Sequence, residues 1–135
     1  SGGLYAVEGV IGVSRVVYFE IAAEIPERAV KFYREAFGWT IEEEKGPLQG
    51  WQITTGPEEE QGIDGTIRWS VGGEPFHTIV TIEVPSVDET LKKITVAGGK
   101  MLQPKVALPG LGYHTYCMDT EGNVFRILER DPSAS

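Results

Sequence analysis

The sequence has a single cysteine, Cys117, among 135 residues. That count excludes an internal disulfide and a multi-thiolate metal site, and it fits a reducing, cytoplasmic setting. Histidine is nearly as scarce, with only His77 and His114. Each reads as a surface or hydrogen-bonded structural residue, and Cys117, on an apolar strand, as an inert core thiol. No apolar run approaches the roughly 18 residues that a membrane span needs. No charged, apolar and small-residue succession opens the chain, so no secretory signal is read. Basic residues are few as well: 12 Lys and Arg stand against 20 Asp and Glu, for a net charge of -8. Nucleic acid, whose phosphates call for a basic surface, is therefore not an expected partner, and the acidity serves solubility. With 41% hydrophobic residues over this length, the chain reads as one soluble domain with a core of its own.

What is present is a repeat. Val16-Val17-Tyr18-Phe19-Glu20-Ile21 returns 61 residues later as Thr78-Ile79-Val80-Thr81-Ile82. Alternation places Val17, Phe19 and Ile21 on one face of the first strand, with Tyr18 and Glu20 on the other. In the second copy Val80, Ile82 and Val84 form the apolar face, and Ile79, Thr81 and Glu83 lie opposite. A helix follows each strand. In the first, Pro26 suits the opening turn, and Ile25 is a weak N-cap. Ala29, Phe32, Tyr33, Ala36 and Phe37 have the spacing of one buried face, and Gly38 supplies a left-handed cap. In the second, Ser86-Val87-Asp88-Glu89 is a capping box. Val87, Leu91, Ile94 and Ala97 make its stripe, and Gly98-Gly99 ends it. Gly38 and Gly99 are again 61 apart.

Strands are expected over 39–44, 51–55 and 66–70 in the first half and near 100–106, 112–118 and 123–129 in the second. A polar loop fills 56–65, Val71–Pro75 links the halves, and Glu121-Gly122-Asn123 makes a hairpin turn. Residues 1–14 are a Gly-rich arm, of which Ser1-Gly2-Gly3 reads as a cloning scar. The pattern is α+β: two tandem βαβββ modules, about 15–70 and 77–130, within one domain spanning 15–135.

Phe19-Glu20-Ile21, Pro26–Tyr33, Phe37-Gly38-Trp39, Val84–Asp88, Gly98-Gly99 and Asp119–Phe125 together resemble the vicinal oxygen chelate superfamily. This group includes glyoxalase I, extradiol dioxygenases and bleomycin-resistance proteins. Ile53–Pro57 and Gly62–Gly65 resemble a bacterial subgroup described only as glyoxalase-like. The resemblance implies mixed sheets curled into a cup-shaped cleft for a small organic molecule, often over a divalent metal, and a homodimer. Exposed aromatic residues near Trp69 and Phe76 suit such an interface.

Metal-bearing relatives place His, Gln or Glu on the first and last strands of each module. Those positions fall here on Tyr18, Ile79, Arg126 and, by the 61-residue offset, Gly65. They are not a ligand set, so no metal and no other cofactor are expected. A divalent metal held at an atypical site, with Glu20 or Asp64, is the alternative. If the family geometry holds, Tyr18, Glu20, Ile79, Thr81, Glu83, Arg126 and Leu128 line the concave side, joined by Trp51 and Ile53. Arg126 either fixes a ligand carboxylate or phosphate or pairs internally with Glu20 or Glu83. Glu20 is also a candidate general base, and Tyr18 and Trp51 candidates for stacking on a planar ligand. Three functional readings follow. The leading one is a metal-free, glyoxalase-like small-molecule-binding protein. The others are a drug-sequestering protein of the bleomycin-resistance kind and a lyase, isomerase or dioxygenase with an atypical metal site.

Overall fold

Two copies of one strand–helix–strands unit account for the described chain, which a computed structural model gives for residues 14–45, 50–70 and 78–135. Residues 1–13 of the expected arm, the linker Val71–Pro75, Phe76 and His77 lie outside those residues. Spatial clustering separates two compact units, Val17–Val80 and one containing Thr81–Ser135, with the border inside a strand.

The first unit runs β1 (Arg15–Ala23), α1 (Pro26–Phe37), β2 (Thr40–Glu44), β3 (Gly50–Thr54) and β4 (Asp64–Trp69). Its strands lie in the order β2-β3-β4-β1. β1 and β4 are parallel, and the other neighbours antiparallel. Pro26 opens α1, Ile25 makes no side-chain cap bond, and Gly38 closes the helix at φ 71° with its N–H on the Arg34 carbonyl. The glycine takes the left-handed conformation without a Cβ penalty.

The core of this unit is Val30, Ile41, Ile53 and Ile67, with Phe19, Ile21, Ala29, Tyr33 and Trp39 packed around them. The buried helix face is therefore rotated from the expected stripe. Pro26 and Val30 are its buried residues, while Phe32 is 56% and Phe37 61% exposed and Ala36 is exposed. Aromatic contact took the place of burial: Tyr33 stacks on Trp39 with centroids 5.1 Å apart, Phe37 stacks on Trp39 at 5.4 Å, and Phe32 meets Tyr33 edge-on at 5.0 Å.

The second unit has β5 (Thr78–Glu83), α2 (Val87–Val96), β6 (Lys100–Met101), β7 (Val106–Leu108), β8 (Gly112–Met118) and β9 (Val124–Arg130). The order is β6-β8-β9-β5, with β7 also on β8. The single strand expected over 100–106 is thus two short ones. Pro104 lies between them and has no N–H for a ladder, while the Thr115 hydroxyl donates to the Gln103 carbonyl at 2.6 Å. Ser86 caps α2, its Oγ accepting from the Glu89 N–H at 3.1 Å, but the Glu89 carboxylate pairs with Lys92. Val84, Val87, Cys117 and Ile127 form the core, with Ile82, Leu91 and Ile94 against it, and Ala97 is exposed. Cys117 is fully buried, and burial pushes its thiol pKa up, as suits an inert core thiol. Among the described residues no helix is long and apolar enough to cross a membrane.

Candidate functional site

Each sheet has one face under its helix and one turned away, and period-two alternation decides which side chains reach the latter. In the first unit Phe19, Ile21, Ile53 and Ile67 belong to the helix-side core. The register Glu20↔Thr66, Tyr18↔Asp64, Ala22↔Arg68 and Gln52↔Thr66 therefore gathers Tyr18, Glu20, Gln52, Thr66 and Arg68 on the other face. There the Tyr18 hydroxyl donates to Gln52 Oε1 at 2.8 Å and lies 2.6 Å from Thr66 Oγ1. One proton per hydroxyl makes Thr66 the donor in the second contact. Glu20, 5% exposed, meets Arg68 Nε at 3.2 Å. A carboxylate buried this far requires such a partner.

This arrangement reverses the expected parity of β3. Ile53 is completely buried in the core, and Trp51 packs against the same cluster, so both lie on the helix side. Gln52, between them, takes the place expected for Trp51. Gly65 also faces the core. A Cβ there would come within 2.6 Å of both the Phe19 ring and the Phe19 carbonyl oxygen. The outward positions of β4 are Asp64, Thr66 and Arg68, and Asp64 accepts from the Thr55 N–H at 2.9 Å.

In the second unit the face away from α2 carries Thr81, Glu83, His114, Tyr116, Arg126 and Leu128, through the registers Thr81↔Arg126, Glu83↔Leu128, His114↔Leu128 and Tyr116↔Arg126. Arg126 Nε donates to the fully buried Thr81 Oγ1 at 2.8 Å. Glu83 pairs with Arg130 at 2.9 Å. Leu128 is buried, and so is Ile79 on β5. His114 meets the Tyr116 ring edge-on at 5.7 Å. It is half-buried, and its Nδ1 is buried without a hydrogen-bond partner among the described residues. Burial, reinforced by the Arg126 charge, holds its pKa down at about 4, so the imidazole is neutral at pH 7. Gln52, Thr66, His114 and Tyr116 were not among the expected site residues. Strand alternation was the available signal for each.

The positions equivalent to metal ligands do not fit a divalent ion. They hold a phenol committed to Gln52 and Thr66, a buried isoleucine, a guanidinium and, by the matching registers Glu20↔Thr66 and Thr81↔Arg126, the Thr66 hydroxyl in place of the expected Gly65. Among the described residues no three His, Cys, Asp or Glu side chains come together as a potential metal site.

A family model for the Glyoxalase/Bleomycin resistance protein/Dioxygenase superfamily matches residues 15–127. The chain belongs to this superfamily. A glyoxylase-like domain-containing protein of Didymella fabae is 30% identical over 119 aligned positions, covering 82% of this chain and 90% of that one. Among solved structures, a hypothetical protein from Bacillus halodurans C-125 matches with TM-score 0.66 and 13% identity over 90% of this chain and 98% of its own. Methylmalonyl-CoA epimerase from Mycobacterium tuberculosis matches with TM-score 0.65 and 11% identity, over 93% and 96%. At these identities the structural likenesses establish the fold, which hosts many functions.

Proposed function

We propose that this glyoxalase-like protein binds a small organic acid without a metal, on the strand face of the second unit turned away from α2, and that Arg126 anchors the ligand's carboxylate. The observation that carries this reading is the bond from Arg126 Nε to the buried Thr81 hydroxyl. A guanidinium fixed at Nε has its planar fork set in orientation, which is what bidentate carboxylate recognition uses. Its neighbours supply shape and polarity: a neutral imidazole at His114, the Tyr116 ring and the Leu128 side chain. A cation at a position where metal-bearing relatives place a ligand supplies positive charge without an ion. Superfamily membership supports small-molecule binding as the class of function, and it leaves the reaction, if any, open.

The test joins metal analysis with a binding assay. Protein purified without chelator is expected to carry far less than one equivalent of zinc, nickel, iron or manganese by elemental mass spectrometry. Malonate, a minimal dicarboxylate, is expected to raise the melting temperature of the wild type at constant ionic strength and to leave Arg126→Gln unmoved. Near-stoichiometric metal, or an equal malonate response in both proteins, overturns the reading.

A further inference from the structure

The helix side of the first unit carries an open groove of about 740 Å³ that the anion-binding reading does not use. It lies where the end of β2, the start of β3, the end of β4 and the entry to α1 come together. Trp51 and Trp69 line it, and both belong to the helix-side parity of their strands, opposite to Gln52 and Thr66. Trp69 is 62% exposed, a large apolar surface to leave in water beside a recess.

The groove is also strongly acidic. Glu27 and Glu43 line it, with Glu24 and Glu44, against one cationic residue, Lys45. Among the described residues the ion pairs of glutamates engage Glu20, Glu35, Glu83 and Glu89, and none of these four. From Glu27, Glu43 and Trp51 a second recess of about 550 Å³ continues over Val30 along α1. Lys31, Arg34 and Glu35 also line this recess, so the acidic, tryptophan-walled part is the groove itself.

We infer that this groove is a second binding site, for an organic cation of the alkylated ammonium class. Indole faces attract a cation through their quadrupole, and they do so best when the cation is poorly hydrated, as an alkylated ammonium is. Carboxylates around the aromatic wall add long-range attraction and reject anions. Neither feature suits the carboxylate ligand proposed for Arg126, which belongs to the second unit, on the face away from α2. The α1 N-terminus contributes a partial positive charge, which Glu27 in its first turn offsets.

Choline and its neutral isostere 3,3-dimethylbutan-1-ol are the probes. The full chain would be titrated with each at constant ionic strength while the indole N–H signals of Trp39, Trp51 and Trp69, assigned by Trp→Phe variants, are followed by NMR. Choline is expected to shift Trp51 and Trp69 saturably and to leave Trp39 in place, with the isostere at least about tenfold weaker. Trp69→Ala and the double variant Glu27→Gln/Glu43→Gln are each expected to weaken choline about tenfold. Both change exposed side chains, and an unmoved Trp39 signal checks that each variant has folded. Arg126→Gln is expected to bind choline as the wild type does, so failure of the anion reading leaves this result standing. Absence of a saturable shift, equal response to both probes, or undiminished binding in the variants overturns the proposal.

Discussion

Thr81 and Arg126 are held together by a 2.8 Å hydrogen bond across the parallel β5–β9 pair, and the threonine is wholly buried. The pair explains how a charged side chain keeps one orientation on a sheet face. Thr81→Val keeps the shape and removes the acceptor. A hydrogen bond to a charged group contributes about 1.5–3 kcal/mol, and leaving the donor unmet costs in the same range. Chemical denaturation of Thr81→Val is expected to show a loss of that size. The malonate-induced rise in melting temperature is expected to shrink even though Arg126 remains. An unchanged malonate response would mean that Thr81 does not position the guanidinium.

His114 gives the protein a pH-dependent term of definite sign. Its folded pKa is about 4, and its unfolded value is about 6.5. Below the upper value the unfolded chain takes up a proton that the folded chain refuses, so stability falls as pH drops from about 6.5 to about 4. Above 6.5 the term is constant. His114→Gln removes the titration while keeping a polar side chain. Urea midpoints measured between pH 7.5 and 4.5 are expected to fall less steeply for this variant than for the wild type. Parallel slopes would place the imidazole in a more solvated setting.

Gly65 is fixed by close approach rather than by a turn. A Cβ at this position would lie 2.6 Å from the backbone oxygen of Phe19 as well as from its ring. A ring can tilt, but the carbonyl belongs to the paired strand β1. Gly65→Ala is expected to destabilise the protein by about 1–3 kcal/mol, the range seen when a packed interior is overfilled. Calorimetric melting measures it, and a neutral result would show that β1 and β4 can separate locally at no cost.

Much of the fold was written in local chemistry. Pro26 and Gly38 act through their own backbone and Ser86 through a side-chain bond three residues along, so the helix limits they set depend on few distant contacts. The strand repeat was equally legible, because alternation needs only the chain itself. Face assignment was not. Trp51-Gln52-Ile53 alternates cleanly, yet an aromatic and aliphatic stripe suits a ligand pocket and a helix-side core equally well. The choice is made by Ile41 and Ile67 across the ladder and by Val30 above it, which pair through tertiary contact. Phe32 and Phe37 were misplaced for a related reason: the periodicity of α1 indicates an apolar face without saying how much of it the sheet reaches. The ring cluster with Tyr33 and Trp39 then holds what the sheet leaves uncovered.

The two sides of β3 can be told apart by paired substitutions. Ile53 is fully buried within the helix-side core, so Ile53→Ala removes three carbons from a packed interior and is expected to cost about 2–5 kcal/mol. Its folded fraction is expected to respond to malonate as the wild type does, because the core it belongs to contains neither Arg126 nor Thr81. Gln52→Leu makes the opposite change. It removes the acceptor of the Tyr18 hydroxyl and is expected to cost only about 0.5–1.5 kcal/mol, since Thr66 still meets that hydroxyl. Denaturation curves and malonate titrations of both variants decide the matter. An Ile53→Ala variant nearly as stable as the wild type would place this side chain outside the helix-side core and overturn the strand parity described above.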